Sequence, residues 1–466
     1  MTKANWIAAV LVACSTCAFA DSDMDPTWDG GGYTTTNVGT GIDAQAYGLA
    51  IDSVGRVVLA GEADQFATDP LFVAVRYRGD QTPGSTGFED VDFHNNVNNY
   101  AGISFSPAGI NGVHGLAVQI GVNDSVVMAG DCENPVFPFD HSFCLARLTD
   151  TGAIDGSFGS AGTVVTSIGL DNAFPKAMAK DSAGGFLVAG FSSDPVSPNP
   201  VVFTVVRYDA SGNQDLSFGV NGVARVADPN PFPVSPGNPG SDDSAYAIAV
   251  DSDDSIVVAG TVYDMSANNG GFGVARLTKM GAMDPTFNAG KMAVVGFPNG
   301  AGANAVGIDS LHRPIVGGIA YVAGNPNASS TMALARFTAA GVADATFGSS
   351  GKVSAPLAGC SEATLNGLAV DRSNRVFAAG YCKISVPIVA QELALVHFNT
   401  NGGLDATYGN NGMDLQFFGF ANAALTSIVL DSLGRPVVAG SRIDAGSGKF
   451  GFVVNRHDYV FSHGFD

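Results

Sequence analysis

The chain has 466 residues, with 22 Lys+Arg against 43 Asp+Glu and a formal net charge of −21. Charged residues make up 14%, below the roughly 25% of ordinary soluble domains, while an apolar content of 46% is ample for a core and excludes global disorder. So acidic a balance argues against a nucleic-acid backbone or an anionic membrane surface as partner.

Residues 1–20 read MTKANWIAAVLVACSTCAFA. Lys3, an apolar stretch from Trp6 to Ala13 and the small-x-small site Ala18-Phe19-Ala20 form the pattern of a secretory signal peptide, so a secreted, extracellular or periplasmic protein is expected. A rival reading takes Leu11-Val12-Ala13-Cys14 as a lipobox and makes the chain an envelope lipoprotein anchored through Cys14, although the apolar run before it is short. No stretch approaches about 18 uninterrupted apolar residues, so no transmembrane segment is expected. Cleavage leaves Cys132, Cys144, Cys360 and Cys382, an even number that suggests two disulfides in an exported chain. Neighbours in sequence pair Cys132 with Cys144 and Cys360 with Cys382.

From residue 52 onward one unit recurs seven times: DSVGRVVLAG (52–61), NDSVVMAG (123–130), DSAGGFLVAG (181–190), DSDDSIVVAG (251–260), DSLHRPIVGG (309–318), DRSNRVFAAG (371–380) and DSLGRPVVAG (431–440). Each unit carries four strand-like runs. A short alternating run, such as YGLAID (47–52), precedes the Asp-Ser turn, and a wholly apolar run follows it. A third run, such as FVAVRY (72–77) or FGVARL (272–277), leads to a turn element, such as DGSFGSAG (155–162) or DATFGSSG (344–351), and then to a fourth run. Short strands, Gly/Asp turns and a period near sixty predict an all-β, single seven-bladed β-propeller of four-stranded blades. The turn element at 25–32 precedes the first complete set and the last set lacks a fourth strand, so the N-terminal strand is expected to complete the last blade and close the ring. Expected boundaries are 1–20 for the leader, 21–458 for the propeller and 459–466 for a C-terminal tail.

The D-x-T/S-F-G-x-x-G element, the x-D-S-x-G-x-hydrophobic-hydrophobic-A-G core and the L-A-R-aromatic strand resemble the delta-60 repeat β-propeller family of exported bacterial proteins. The resemblance covers roughly 25–457 and implies the fold. It implies no activity, because the family's function is undefined.

Aligned on the turn Asp, with Gln119 taken for that position in the second copy, the residues five earlier are Tyr47, His114, Lys176, Tyr246, Asn304, Asn366 and Thr426. All are polar or polar-tipped. They are expected to ring the mouth of the central channel, either as a wet opening or as ligand contacts. The rows three and two before the turn read as large and small, with Leu116 and Ala117 in the second copy. The third strand carries Arg76, Arg147, Arg207, Arg276, Arg336 and Arg456, six of the fourteen arginines, with His397 in the remaining copy. Their natural acceptors are the downstream Asp155, Asp215, Asp284, Asp344 and Asp405, a structural rather than functional pairing. Between 80 and 112 the turn element is unrecognisable, so Arg76 is expected to lack that partner.

The long, varied loops, such as 62–71, 132–142 and 227–244, share one face with the cysteines and the polar ring. Variable loops on a rigid frame are where binding resides. Asp21, Asp23, Asp25 and Asp29 are spaced like a calcium loop but lack its central Gly and terminal Glu; calcium is a weak reading, and no other cofactor is expected. No nucleophile–base pair or catalytic fingerprint stands out, and no catalytic residue is assigned. The expected function is a monomeric, non-enzymatic module that binds a protein, glycan or surface component through its loop-rich face. The alternative is a lyase- or lactonase-like propeller enzyme with its site at the channel mouth.

Overall fold

The computed structural model describes residues 24–457 except 26, 30–31, 40–41, 65–70, 80–86, 95–99, 104–113, 134–140, 169–172, 194–200, 227–242, 265–268, 323–328, 385–389, 417–421 and 445–446. The leader, Cys14, Asp21, Asp23, the tail and the middles of the long loops lie outside these residues. Period-two strands joined by Gly/Asp turns give seven antiparallel four-stranded sheets. Blade 1 contains Asp43–Ile51, Val57–Asp64, Leu71–Tyr77 and Ala101–Ile103. Blade 2 contains His114–Ile120, Val126–Glu133, His141–Leu148 and Thr163–Thr166. The inner strand of each blade touches that of the next, and the last of them, Ala423–Leu430, touches the first, so the sheets form a ring. No helix among the described residues is long and apolar enough to cross a membrane.

The second strands are apolar up to their shared glycine because each lies between two other blades. In blade 1, Val57 and Leu59 pack toward blade 7, whereas Val58 and Ala60 pack toward blade 2. The core is accordingly divided into seven clusters, one at each blade interface. Full burial of each Val or Leu contributes roughly 1.5–3 kcal/mol. Small residues serve the axis: a Cβ on Gly48 would lie 2.8 Å from the Val118 backbone nitrogen of blade 2.

The ring closes as the repeat count requires. Tyr33–Thr36 pairs antiparallel with Phe450–Arg456, matching Tyr33 with Asn455 and Thr36 with Phe452. Asp25 is fully buried, with Arg456 Nε 2.5 Å and Arg435 Nη1 3.3 Å from its Oδ2. Burial raises the Asp25 carboxyl pKa, but hydrogen bonds from Thr27 and the charge of Arg456 prevail and hold it below the usual carboxylate range.

The same device recurs in the turn elements of blades 2 to 5. Arg276 Nε donates to Asp284 Oδ2 at 2.7 Å, Nη2 to Thr286 Oγ1 at 2.8 Å, and the guanidinium lies 5.0 Å from the Phe287 ring centroid. Its Nη1 reaches the Ala339 carbonyl of the next blade at 2.8 Å. Arg147, Arg207 and Arg336 repeat these contacts with Asp155, Asp215 and Asp344 and with the carbonyls of Ala210, Lys279 and Thr400. Each arginine therefore fastens its own turn and the neighbouring blade, which the spacing alone did not reveal. In blade 6, His397 takes the arginine's place, with Nδ1 3.0 Å from Asp405.

Arg76 departs from expectation. It does have a carboxylate partner: Nε donates to Asp90 at 2.9 Å, and Phe93 lies 4.5 Å beneath the guanidinium. The sequence Asp90-Val91-Asp92-Phe93 is a turn element fourteen residues after its arginine, where the regular copies space the pair by eight. The intervening chain and the missing glycines hide it from a motif search.

Candidate functional site

The inner strands do not run in perfect register. Each has a β-bulge, at Tyr47, Leu116, Lys176, Tyr246, Asn304, Asn366 and Thr426 from blade 1 to blade 7. A bulge leaves one residue unpaired and turns it out of the ladder. Here it turns the residue toward the axis, and all seven line a central channel cavity of about 270 Å3.

Blade 2 corrects the sequence alignment. Gly115 pairs with Gly130 and Ala117 with Ala129, so Leu116 is the bulge residue and His114, paired with Asp131, stands two positions earlier. The turn opens at Gly121, whose N–H bonds the Ser125 carbonyl as Asp52 bonds Arg56, and not at Gln119. The large and small rows of blade 2 accordingly hold Val118 and Gln119 rather than Leu116 and Ala117. The expected ring thus retains six members; the His114 side chain lies outside the described residues.

The polar groups of the ring divide in two. In blades 5 to 7 they bond the bulge carbonyl of the next blade: Asn304 donates to Leu365 at 2.8 Å, Asn366 to Leu425 at 2.7 Å and Thr426 to Ala46 at 2.8 Å. These three are clamps between blades. Tyr47 places its hydroxyl 3.1 Å from Glu62 Oε1 and 3.2 Å from Gln45 Oε1. Burial and then the Glu62 charge raise the Tyr47 pKa far above the ordinary phenol value, so it stays a neutral hydroxyl that donates hydrogen bonds. Lys176 and Tyr246 differ: no hydrogen bond or ion pair holds either head group among the described residues.

Beside these two runs an arc of rings across blades 2 to 4. His141 lies 4.4 Å from Phe174, Phe174 5.2 Å from Phe191, and Phe191 6.5 Å from Tyr246, centroid to centroid. Lys176 Nζ sits 5.8 Å from the Phe191 centroid and 6.0 Å from that of Phe174. His141 Nδ1 is 3.0 Å from Asp131 Oδ2, which fixes the end of the arc. Tyr246 is 37% exposed, enough for a ligand to reach it. Sequence reading missed Glu62, Asp131, His141, Phe174 and Phe191. Phe174 and Phe191 face each other across neighbouring strands, as do Gln45 and Glu62, and only the ring brings the pairs to one mouth.

Disulfides join Cys132 to Cys144 and Cys360 to Cys382, both at the strand ends that carry the long loops. Asp25 of the acidic N-terminal run is engaged by Arg456 and Arg435. Among the described residues, no group of three or more His, Cys, Asp or Glu side chains is placed to hold a metal ion.

A family model described as a domain of unknown function (DUF5122) beta-propeller matches residues 252–287, from the first turn of blade 4 to Phe287 of its turn element. No curated protein matches the chain. Similar solved structures include virginiamycin B lyase from Staphylococcus aureus, at 10% identity and a TM-score of 0.43, covering 91% of this chain and 98% of that one. A polysaccharide lyase of family PL25, an ulvan lyase, is 10% identical with a TM-score of 0.46, covering 87% and 93%. A protein of unknown function from Dyadobacter fermentans is 12% identical with a TM-score of 0.43, covering 78% and 97%. No activity is transferred at such distances. The matched unit is one of seven copies that share its motifs and fold as seven blades, which supports a β-propeller built from repeats of the DUF5122 kind.

Proposed function

We propose that this protein is an exported, non-catalytic binding propeller whose ligand docks on the loop-rich face, at the channel mouth beside blades 2 to 4. The observation that carries this reading is the contrast within the ring. Asn304, Asn366 and Thr426 are spent on holding blades together, whereas Lys176 and Tyr246 present uncommitted polar heads next to half-buried aromatic rings. A concave aromatic surface with a few convergent polar groups is the usual composition of a ligand site. The leader-like N-terminus and the two disulfides support export.

A thermal-shift screen tests this reading. A ligand at one hundred times its Kd adds about 2.7 kcal/mol to stability. Phe174→Ala is expected to abolish the shift and leave the unliganded Tm nearly unchanged. A shift that Phe174→Ala leaves intact places the ligand elsewhere.

A second reading rests on the carboxylates at the mouth. Glu62 with Tyr47, and Asp131 with His141, are acid–hydroxyl and acid–imidazole pairs, side-chain types that serve in general acid–base catalysis. Turnover of a polysaccharide or lactone that is lost in Glu62→Gln would establish catalysis. Binding without turnover favours the first reading.

A further inference from the structure

Among the described residues, Lys176 is the only charged side chain lining the channel cavity. Of the carboxylates nearby, Glu62 is bonded by Tyr47 and Asp131 by His141, and no carboxylate is paired with Lys176 among the described residues. In a chain with 43 acids against 22 bases, an ammonium without a carboxylate partner, held against two rings, marks a local site for negative charge. The rings constrain the rest of the ligand. Phe174, Phe191 and Tyr246 are partly exposed and tilted against one another, at interplanar angles of 34° and 59°, so they form a stepped surface and not one flat plate. Successive pyranose rings of a glycan, each offering a slightly positive C–H face to the negative face of an aromatic ring, suit such steps. A cavity of about 270 Å3 falls below the ~300–1,000 Å3 of sites that enclose a drug-sized ligand, which limits entry to a single sugar unit. The rest of the chain then lies along the arc.

We infer that the ligand of this mouth is an acidic glycan, with a uronate carboxylate on Lys176 and neighbouring sugar rings on Phe174, Phe191 and Tyr246. The inference rests on the binding reading above and adds the ligand class. It requires no covalent step.

Isothermal titration of the mature protein provides the test, with tetragalacturonate, its carboxyl-reduced counterpart and hexaglutamate as probes. Tetragalacturonate is expected to bind at least tenfold more tightly than the reduced sugar. Lys176→Met is expected to remove that preference, and Tyr246→Ala to weaken both sugars. Equal binding of the two sugars, or a preference that survives Lys176→Met, overturns the acidic assignment. Hexaglutamate binding as tightly as the uronate overturns it in favour of charge alone. No heat from either sugar overturns the glycan assignment, while the broader binding reading still stands or falls on the Phe174-dependent thermal shift.

Discussion

The two faces of the ring are made of the same strands and obey different rules. On the turn face, repeat positions carry repeated chemistry. Arginine meets aspartate, an aromatic ring and the next blade's carbonyl in four blades alike, and a turn hydroxyl in three of them. The Asp-Ser turns also clasp their neighbours there: Ser53 bonds Asp124 and Ser182 bonds Asp254 across blade boundaries. On the loop face, the bulge residues differ from blade to blade, and a run of touching aromatic rings crosses blades 2 to 4. Uniformity marks positions that every blade needs in order to fold. Departure from uniformity, where it costs no pairing, marks positions free to serve a ligand.

That contrast is open to direct attack. The largest expected effect is Asp25→Ala, which leaves Arg456 buried without its partner at the ring closure. Breaking a buried ion pair costs about 3–5 kcal/mol, readable as a lowered urea midpoint. Arg276→Met removes one repeat of the turn-face device; Asp284 keeps Thr286 and is partly exposed, so the loss is roughly 1–3 kcal/mol.

Acid provides a third probe. Burial, with Arg375 nearby, pushes the His397 imidazole down to about 4, so it is neutral in the fold. The unfolded chain takes up that proton near pH 6.5 and the folded chain only near 4. Stability from this residue is therefore complete above pH 6.5 and declines between 6.5 and 4, by about 1–3 kcal/mol. His397→Arg restores the repeat and is expected to flatten the fall of Tm across this window. A slope unchanged by that substitution assigns the acid sensitivity to other groups.

Smaller effects sharpen the division within the channel. Asn304→Ala removes a clamp between blades 5 and 6 and is expected to cost about 1 kcal/mol. Lys176→Met, at the corresponding bulge of blade 3, is expected to stay within about 0.5 kcal/mol of the parent while altering ligand affinity. Similar stability losses from the two would erase the distinction between clamp and contact.

The architecture was legible because it rests on periodic signals. Glycine and aspartate at fixed positions, apolar second strands and an incomplete final set lead to seven blades and to the pairing of Tyr33–Thr36 with the last third strand. Where the signal is overwritten, legibility fails. In blade 2, Val122-Asn123-Asp124 forms a 3-10 turn after Gly121 in place of the usual Asp-Ser turn, so the alignment slips by two and selects His114 over Leu116. In blade 1, Asp90 stands too far from Arg76 for a fixed spacing to find it. The aromatic arc had no sequence signature at all. His141, Phe174, Phe191 and Tyr246 come from four strands of three blades, and their adjacency is a product of ring geometry.

Hydrogen exchange with and without bound ligand, using tetragalacturonate or the strongest thermal-shift hit, tests the division of the faces most directly. Protection is expected in peptides covering 173–180, 186–193 and 244–250, the strands that carry the arc and its cation. Protection confined to the turn-face segments 52–56, 181–185 and 284–290 would contradict it.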